Sequence, residues 1–305
     1  MQPEHDPAAP KSTQGPTRVT FSVDGDDIVA DLYLPDRDDP APALVLEGPL
    51  TSVKEQVTGN YAAAMAKRGF VALALDHRHF GESGGAPRQY EHPGRKVEDL
   101  RAALDYLGRH PAVDPRRLGA VGVCAGAGYL AGLCADEPRI KAWGAVAGFF
   151  HDASKQREWM GDRYEPALAR AVAAREQFEQ TGEAERIPAV GLTGEVAMPL
   201  REAFDYYGTD RGGVANYTNS FAVMSREHTL PWDAQSAAPR ITKPTLMIHS
   251  EKALAPALAR QFFAALAGPA EQLWVESAGQ IDFYDRQAQI DPAADALARH
   301  FEAHL

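Results

Sequence analysis

Leu118-Gly119-Ala120-Val121-Gly122-Val123-Cys124-Ala125-Gly126-Ala127-Gly128-Tyr129-Leu130 is the stretch on which the fold turns. Leu118 to Val123 reads as a short buried strand, and the small residues after Cys124 read as a helix. Gly122 and Gly126 flank Cys124 as Gly-x-Cys-x-Gly, so one residue sits on a sharp strand-to-helix turn. Glycine is required on both sides, because strand and helix approach too closely there for a Cβ. At a helix N-terminus the unpaired N–H groups favour the thiolate, which makes Cys124 a candidate nucleophile. The competing reading is a small apolar residue filling a strand-helix joint.

Around this stretch the chain alternates strand and helix. Arg18–Val23 and Ile28–Leu34 form a hairpin across Asp24-Gly25-Asp26-Asp27. Ala43–Leu46 suits a central parallel strand, followed by an exit loop Glu47–Thr51. Ser52 and Glu55 make a capping box, which predicts a helix from about Val53 to Arg68. Phe70–Leu75 is the next strand, and Val97, Leu100, Leu104 and Leu107 mark the apolar face of the next helix. Ile140–Phe150 is a further strand, and the sum is a parallel α/β sheet. The rhythm then breaks. Between His151 and Lys243 no strand is expected, and Glu165–Glu179 is helical. An insertion of this length between core strands is expected to be a lid, with Tyr206, Tyr207, Tyr217, Phe221, Met224 and Trp232 packing within it or facing a ligand. The α/β pattern resumes with strand 244–250, helix Leu254–Leu266, strand Gln272–Glu276 and a closing helix opened by Asp291-Pro292.

The expected organisation is an arm over 1–17, a core over 18–150 and 244–305, and a lid over 151–243. Net charge is −11, which argues against binding a nucleic-acid backbone. The two cysteines, Cys124 and Cys134, do not suggest a disulfide framework, and a reducing cytoplasm is the expected compartment. Cys134 reads as core filling. No window suits a membrane span, and no Cys/His spacing suits a metal; no cofactor is expected.

With these elements placed, the chain resembles the α/β-hydrolases, in particular the bacterial and fungal group that includes polyketide transferases. The resemblance rests on Thr51-Ser52-Val53-Lys54-Glu55-Gln56, on Asp76-His77-Arg78-His79-Phe80-Gly81-Glu82-Ser83, on Gly122–Tyr129, on Gly148–Asp152 and on Asp282-Phe283-Tyr284-Asp285. Dienelactone-hydrolase-type enzymes are the nearest alternative; they are also Cys-centred but lack so long an insertion. The resemblance implies a mostly parallel sheet flanked by helices, a mainly helical lid, and a triad in the order nucleophile, acid, histidine. Here Ala253 stands where an acid is usual, and Gln280 stands where the histidine belongs. Glutamine cannot accept a proton at neutral pH. His151, just beyond the strand that follows the turn, is the best-placed substitute base, with His79 second. His249 is expected in the core, and His300 and His304 on a helix surface. The oxyanion hole should survive as backbone N–H groups of Ala125 and Leu50, with Thr51 as fallback and Pro49 excluded.

Three functional readings stay open at this point. One is ester or thioester chemistry through Cys124, by hydrolysis or acyl transfer. Another is non-hydrolytic catalysis (cyclase, lyase or isomerase) in a lidded pocket. The last is a binding protein on a decayed scaffold. Expected partners are a small apolar acyl compound or a carrier-protein-bound thioester, and a homodimer is compatible with all three.

Overall fold

The computed structural model describes residues 15–305. Most of the expected N-terminal arm, residues 1–14, lies outside the described residues, and Thr17 already belongs to the first strand. Eight strands form one sheet, in the order β1 (Thr17–Val23), β2 (Asp26–Tyr33), β4 (Val71–Leu75), β3 (Ala41–Glu47), β5 (Val113–Val123), β6 (Ile140–Val146), β9 (Thr245–His249), β10 (Ala270–Trp274). The first three run as antiparallel neighbours and the rest are parallel. β3, β4 and β9 are buried along their whole length, as continuous apolar runs in a sheet covered on both faces require.

Helices α1 (Val57–Ala66) and α10 (Gln287–His304) pack against each other on one face, and α2 (Pro93–Arg109) and α3 (Ala125–Asp136) on the other. The central strand β5 runs directly into α3 through Cys124. Between β6 and β9 the chain leaves the sheet. This insert holds α4 (Ala153–Met160), α5 (Tyr164–Thr181), a two-residue pair β7 (Arg186–Ile187) and β8 (Phe221–Ala222), α6 (Arg201–Tyr207) and α7 (Arg226–Thr229). The chain returns through β9, α8 (Pro256–Ala265), β10 and the short α9 (Asp282–Asp285) before α10.

Several local expectations need correction. The capping box at Ser52 does not form: Ser52 Oγ donates to the Pro49 carbonyl, and Lys54 N–H is held by Asp76 Oδ1. Residues 50–55 are thereby drawn into turns, and α1 starts at Val57. The strand expected to reach Phe150 stops at Val146, because Ala147 takes a positive φ of 43°. The closing helix starts at Gln287 rather than at Asp291, anchored by buried Ile290, with Pro292 inside it. His300 is buried rather than on the surface, whereas His304 is exposed. The insert, expected without strands, contains the short β7–β8 pair.

Candidate active site

The glycines around Cys124 do what their spacing implies. A Cβ on Gly122 would stand 2.6 Å from Ala127 Cα, and one on Gly126 would stand 2.5 Å from the Glu47 carbonyl oxygen. The turn therefore sits in van der Waals contact with the end of β3. Cys124 itself has φ 56° and ψ −127°, a conformation that costs a non-glycine residue on the order of 1–3 kcal/mol. The neighbouring strand holds it there. Cys124 N–H donates to Val146 O at 3.2 Å, and Cys124 O accepts Phe149 N–H at 2.8 Å.

The Cys124 side chain is only 8 % exposed, and burial pushes its thiol up. The hydroxyl of Tyr284, the N–H of Ala125 and the amide of Gln280 surround the sulfur and pull the other way, but burial wins. This corrects the expectation from the helix N-terminus: the thiol is the favoured form at neutral pH. Cys134 is fully buried in the core as expected, and its thiol is pushed up as well.

Gln280 is buried beside Cys124, with both ends of its amide engaged. Nε2 donates to the Ala147 carbonyl at 2.8 Å, and Oε1 accepts the Leu254 N–H at 2.9 Å. Ala253, one residue earlier, is buried and donates its N–H to Ser250 O at 3.2 Å. Tyr284, in α9, had no role in the sequence reading, and its hydroxyl lies beside the Cys124 sulfur. Burial holds that phenol neutral, well above the usual tyrosine range.

A cavity of about 270 Å³ opens in front of the sulfur. Core residues Leu50, Ala125, Phe149, His151, Leu254, Gln280, Ile281 and Tyr284 line it together with Cys124. The insert contributes Met198, Pro199, Leu200, Glu202, Ala203 and Tyr207 among others. Of the insert aromatics singled out in the sequence, Tyr207 reaches this wall, while Trp232 instead donates from Nε1 to the Gly128 carbonyl at 3.4 Å. Met198, Leu200 and Glu202 carry no sequence signal that would have marked them.

His151 lines the same cavity. Its ring stacks on Tyr129 at 5.3 Å and meets Phe149 edge-on at 4.6 Å. Burial pushes its imidazole down to about 3, so it is neutral at pH 7. His79 is not brought to this cavity. It lies in the loop after β4 with φ 79°, its Nε2 3.0 Å from Arg95 Nη1, and burial beside that guanidinium pushes it down to about 4. His249 is a core residue as expected, its ring nitrogens against Ser250 O at 3.0 Å and Gly148 O at 3.2 Å.

The loop after β3 offers one free choice fewer than the sequence suggested. The Thr51 N–H is committed to Glu91 Oε2 at 3.1 Å, and Thr51 has φ 61°. Glu91 is itself fully buried and pairs with Lys96 at 2.8 Å. Lys96 continues to Glu47 at 3.6 Å, and Glu47 meets His77 Nε2. His77 Nδ1 faces Asp99 at 3.1 Å, and Asp99 accepts from Arg78 Nε at 2.6 Å. Burial alone would lower His77, but Glu47 and Asp99 outweigh it and push the imidazole up to about 9. Lys54 belongs to a separate buried cluster, its Nζ reaching Asp76 Oδ2 at 2.7 Å and Glu82 Oε2 at 2.6 Å.

Residues 24–172 match the family model for the X-Pro dipeptidyl-peptidase (S15) family. The chain is 34% identical to the Pseudomonas aeruginosa protein PA2218 over 94% of its own length and 80% of that protein's. The crystal structure of PA2218 superposes with a TM-score of 0.84, covering 100% of both chains at 30% identity. The Escherichia coli protein YcjY is 32% identical over 86% of this chain and 89% of its own. The thiohydrolase aneE of Aspergillus aculeatus is 27% identical over 84% and 83%.

The chain is a member of the α/β-hydrolase superfamily. It is an enzyme of this superfamily, and its relatives at 25% and 23% identity include fungal polyketide transferases. Gln280, where the sequence leads one to expect the histidine, is a neutral amide bonded to backbone on either side. Among the described residues no cluster of His, Cys, Asp and Glu could hold a metal ion, and no helix is long and apolar enough to cross a membrane.

Proposed function

We propose that Cys124 is the nucleophile of an acyl transfer or hydrolysis reaction on an activated ester or thioester. The observation that carries this reading is the positive φ of Cys124 at the mouth of an apolar cavity. A cysteine needed only to fill the core gains nothing from a strained backbone, whereas a nucleophile must stand clear of strand and helix. With a thioester, the Cys124 sulfur bonds to the carbonyl carbon, the bond to the leaving sulfur breaks, and the Cys124 proton ends on the departing thiol. Ala125 N–H and Leu50 N–H are the oxyanion donors in this reading, Thr51 N–H being held by Glu91. Tyr284 and Gln280 steady the sulfur, and neutral His151 forms part of the wall. The relative aneE is named a thiohydrolase, and other relatives are named polyketide transferases and an acyltransferase, which agrees with thioester chemistry.

The cavity wall is largely apolar, so the substrate proposed is a small acyl compound, free or presented on a carrier protein. Residues 151–243 act as its lid in this reading, since Met198 to Tyr207 close one side of the cavity. Intact-protein mass after incubation with acyl thioesters and activated esters tests the proposal. An adduct on wild type that is absent from Cys124→Ala supports it; turnover that survives Cys124→Ala sinks it.

A second reading has one observation in its favour. Burial keeps the Cys124 thiol protonated, and Gln280 is a neutral donor beside it, an arrangement suited to polarising a carbonyl without a covalent step. Retained turnover by Cys124→Ala with loss in Gln280→Ala would select this non-hydrolytic reading.

A further inference from the structure

An acyl group on Cys124 must be released, and the side chain that normally deprotonates the incoming nucleophile is absent from its usual place. The cavity itself narrows the search for another. Tyr207 and Tyr284 are phenols held neutral by burial, and so donate rather than accept protons. The Gln280 amide has no basic lone pair. Protonating His151 would create a buried cation among Tyr129, Phe149 and the α3 backbone, with no carboxylate facing it.

One charged side chain remains on the wall: Glu202, in the first turn of α6. Its Oε2 lies against the backbone of the loop that carries Gln280. The Ile281 N–H approaches it at 3.5 Å, and a Cβ on Gly279 would collide with it. The long Ile281 contact is a weak hydrogen bond, so the carboxylate keeps lone pairs for a proton. Its charge is also among those that act on the Cys124 sulfur.

We infer that Glu202, supplied by the insert, is the general base that replaces the missing histidine in releasing the acyl group from Cys124. The inference rests on the covalent reading above. As water or an acceptor hydroxyl attacks, its oxygen bonds to the carbonyl carbon and its proton passes to the Glu202 carboxylate. When the tetrahedral intermediate collapses, the bond from carbon to sulfur breaks and the electron pair stays on sulfur. The proton then returns from Glu202 to Cys124, so the enzyme ends as it began.

The test follows deacylation in single turnovers, with p-nitrophenyl acetate and an acetyl thioester as probes and intact mass as the readout. Glu202→Gln conserves shape and an acceptor for Ile281; it should slow deacylation on the order of 10²-fold or more. It should also abolish the rise of deacylation rate with pH on the acid side, and Glu202→Asp should keep that rise at a reduced rate. Unfolding temperatures of both variants show whether the fold is intact. Wild-type deacylation by Glu202→Gln overturns the inference, as does a slower rate that keeps the acid-side rise, since a structural role would leave that rise in place. If neither probe acylates Cys124, steady-state turnover is read instead. Loss of the acid-side rise in Glu202→Gln then keeps Glu202 as base and discards only the covalent intermediate. Turnover independent of Glu202, or no turnover by wild type, overturns the inference.

Discussion

Gln280 is joined to Leu254 from side chain to backbone: Gln280 Oε1 accepts the Leu254 N–H at 2.9 Å. The sequence leads one to expect an imidazole and a carboxylate here; the structure has a neutral amide between two backbone groups. The other end of the same amide donates to Ala147, the residue whose positive φ ends β6 beside Cys124. Gln280 therefore ties the loop after β9 to the turn at Cys124.

Removing that tie should have a structural cost. Gln280→Ala leaves the Leu254 N–H and the Ala147 carbonyl without their partner, and each buried orphan costs about 1–3 kcal/mol. The denaturation midpoint should fall accordingly. Gln280→His should raise hydrolysis of an activated ester only modestly, because Ala253 supplies no acid to fix its tautomer. Adding Ala253→Asp to Gln280→His should raise it further, on the order of 10²-fold over the single variant. Equal rates for the single and double variants would show that position 253 does not face the new imidazole.

The state of the Cys124 thiol is open to direct measurement. Because burial pushes it up, alkylation by iodoacetamide should be slow at neutral pH and should climb steadily on the alkaline side. Cys134, fully buried in the core, should react more slowly at every pH. Mass-resolved labelling against pH reads both sites in one experiment. A plateau already reached at neutral pH would mean a preformed thiolate and would contradict the dominance of burial.

His77 links pH to stability. Its imidazole is pushed up to about 9 by Glu47 and Asp99, above an unfolded value of about 6.5. A raised folded value means that its contribution is complete below about 6.5 and is lost as pH rises through about 9. The denaturation midpoint should therefore decline across this window, by an amount on the order of 1–3 kcal/mol. His79 and His151, pushed down, act in the opposite direction and in a more acidic range, so they do not mask it. In His77→Gln the decline over the same window should flatten; an unchanged slope would assign it to other groups.

Much of this architecture is legible in the sequence because it depends on local rules. The turn at Cys124 is encoded by Gly122 and Gly126, whose lack of a Cβ is itself the contact with α3 and β3. The apolar runs of β3, β4 and β9 report burial on both faces directly. Gln280 and Ala253 stand out in the sequence because the expected order of nucleophile, acid and histidine can be laid along it. What the sequence could not determine depends on which residues meet across the chain. The capping box at Ser52 fails because Asp76, distant in sequence, captures the Lys54 N–H. The helix N-terminus predicts a thiolate at Cys124, but desolvation by the assembled core outweighs a dipole that acts only over the first turn. Tyr284 lies in the motif Asp282–Asp285 of a short helix near the C-terminus, which gives it no role by itself, and Glu202 comes from the insert, where no local pattern marks it. Only the folded chain brings them to one sulfur, because a cavity's wall is chosen by packing between elements and not by spacing along any one of them.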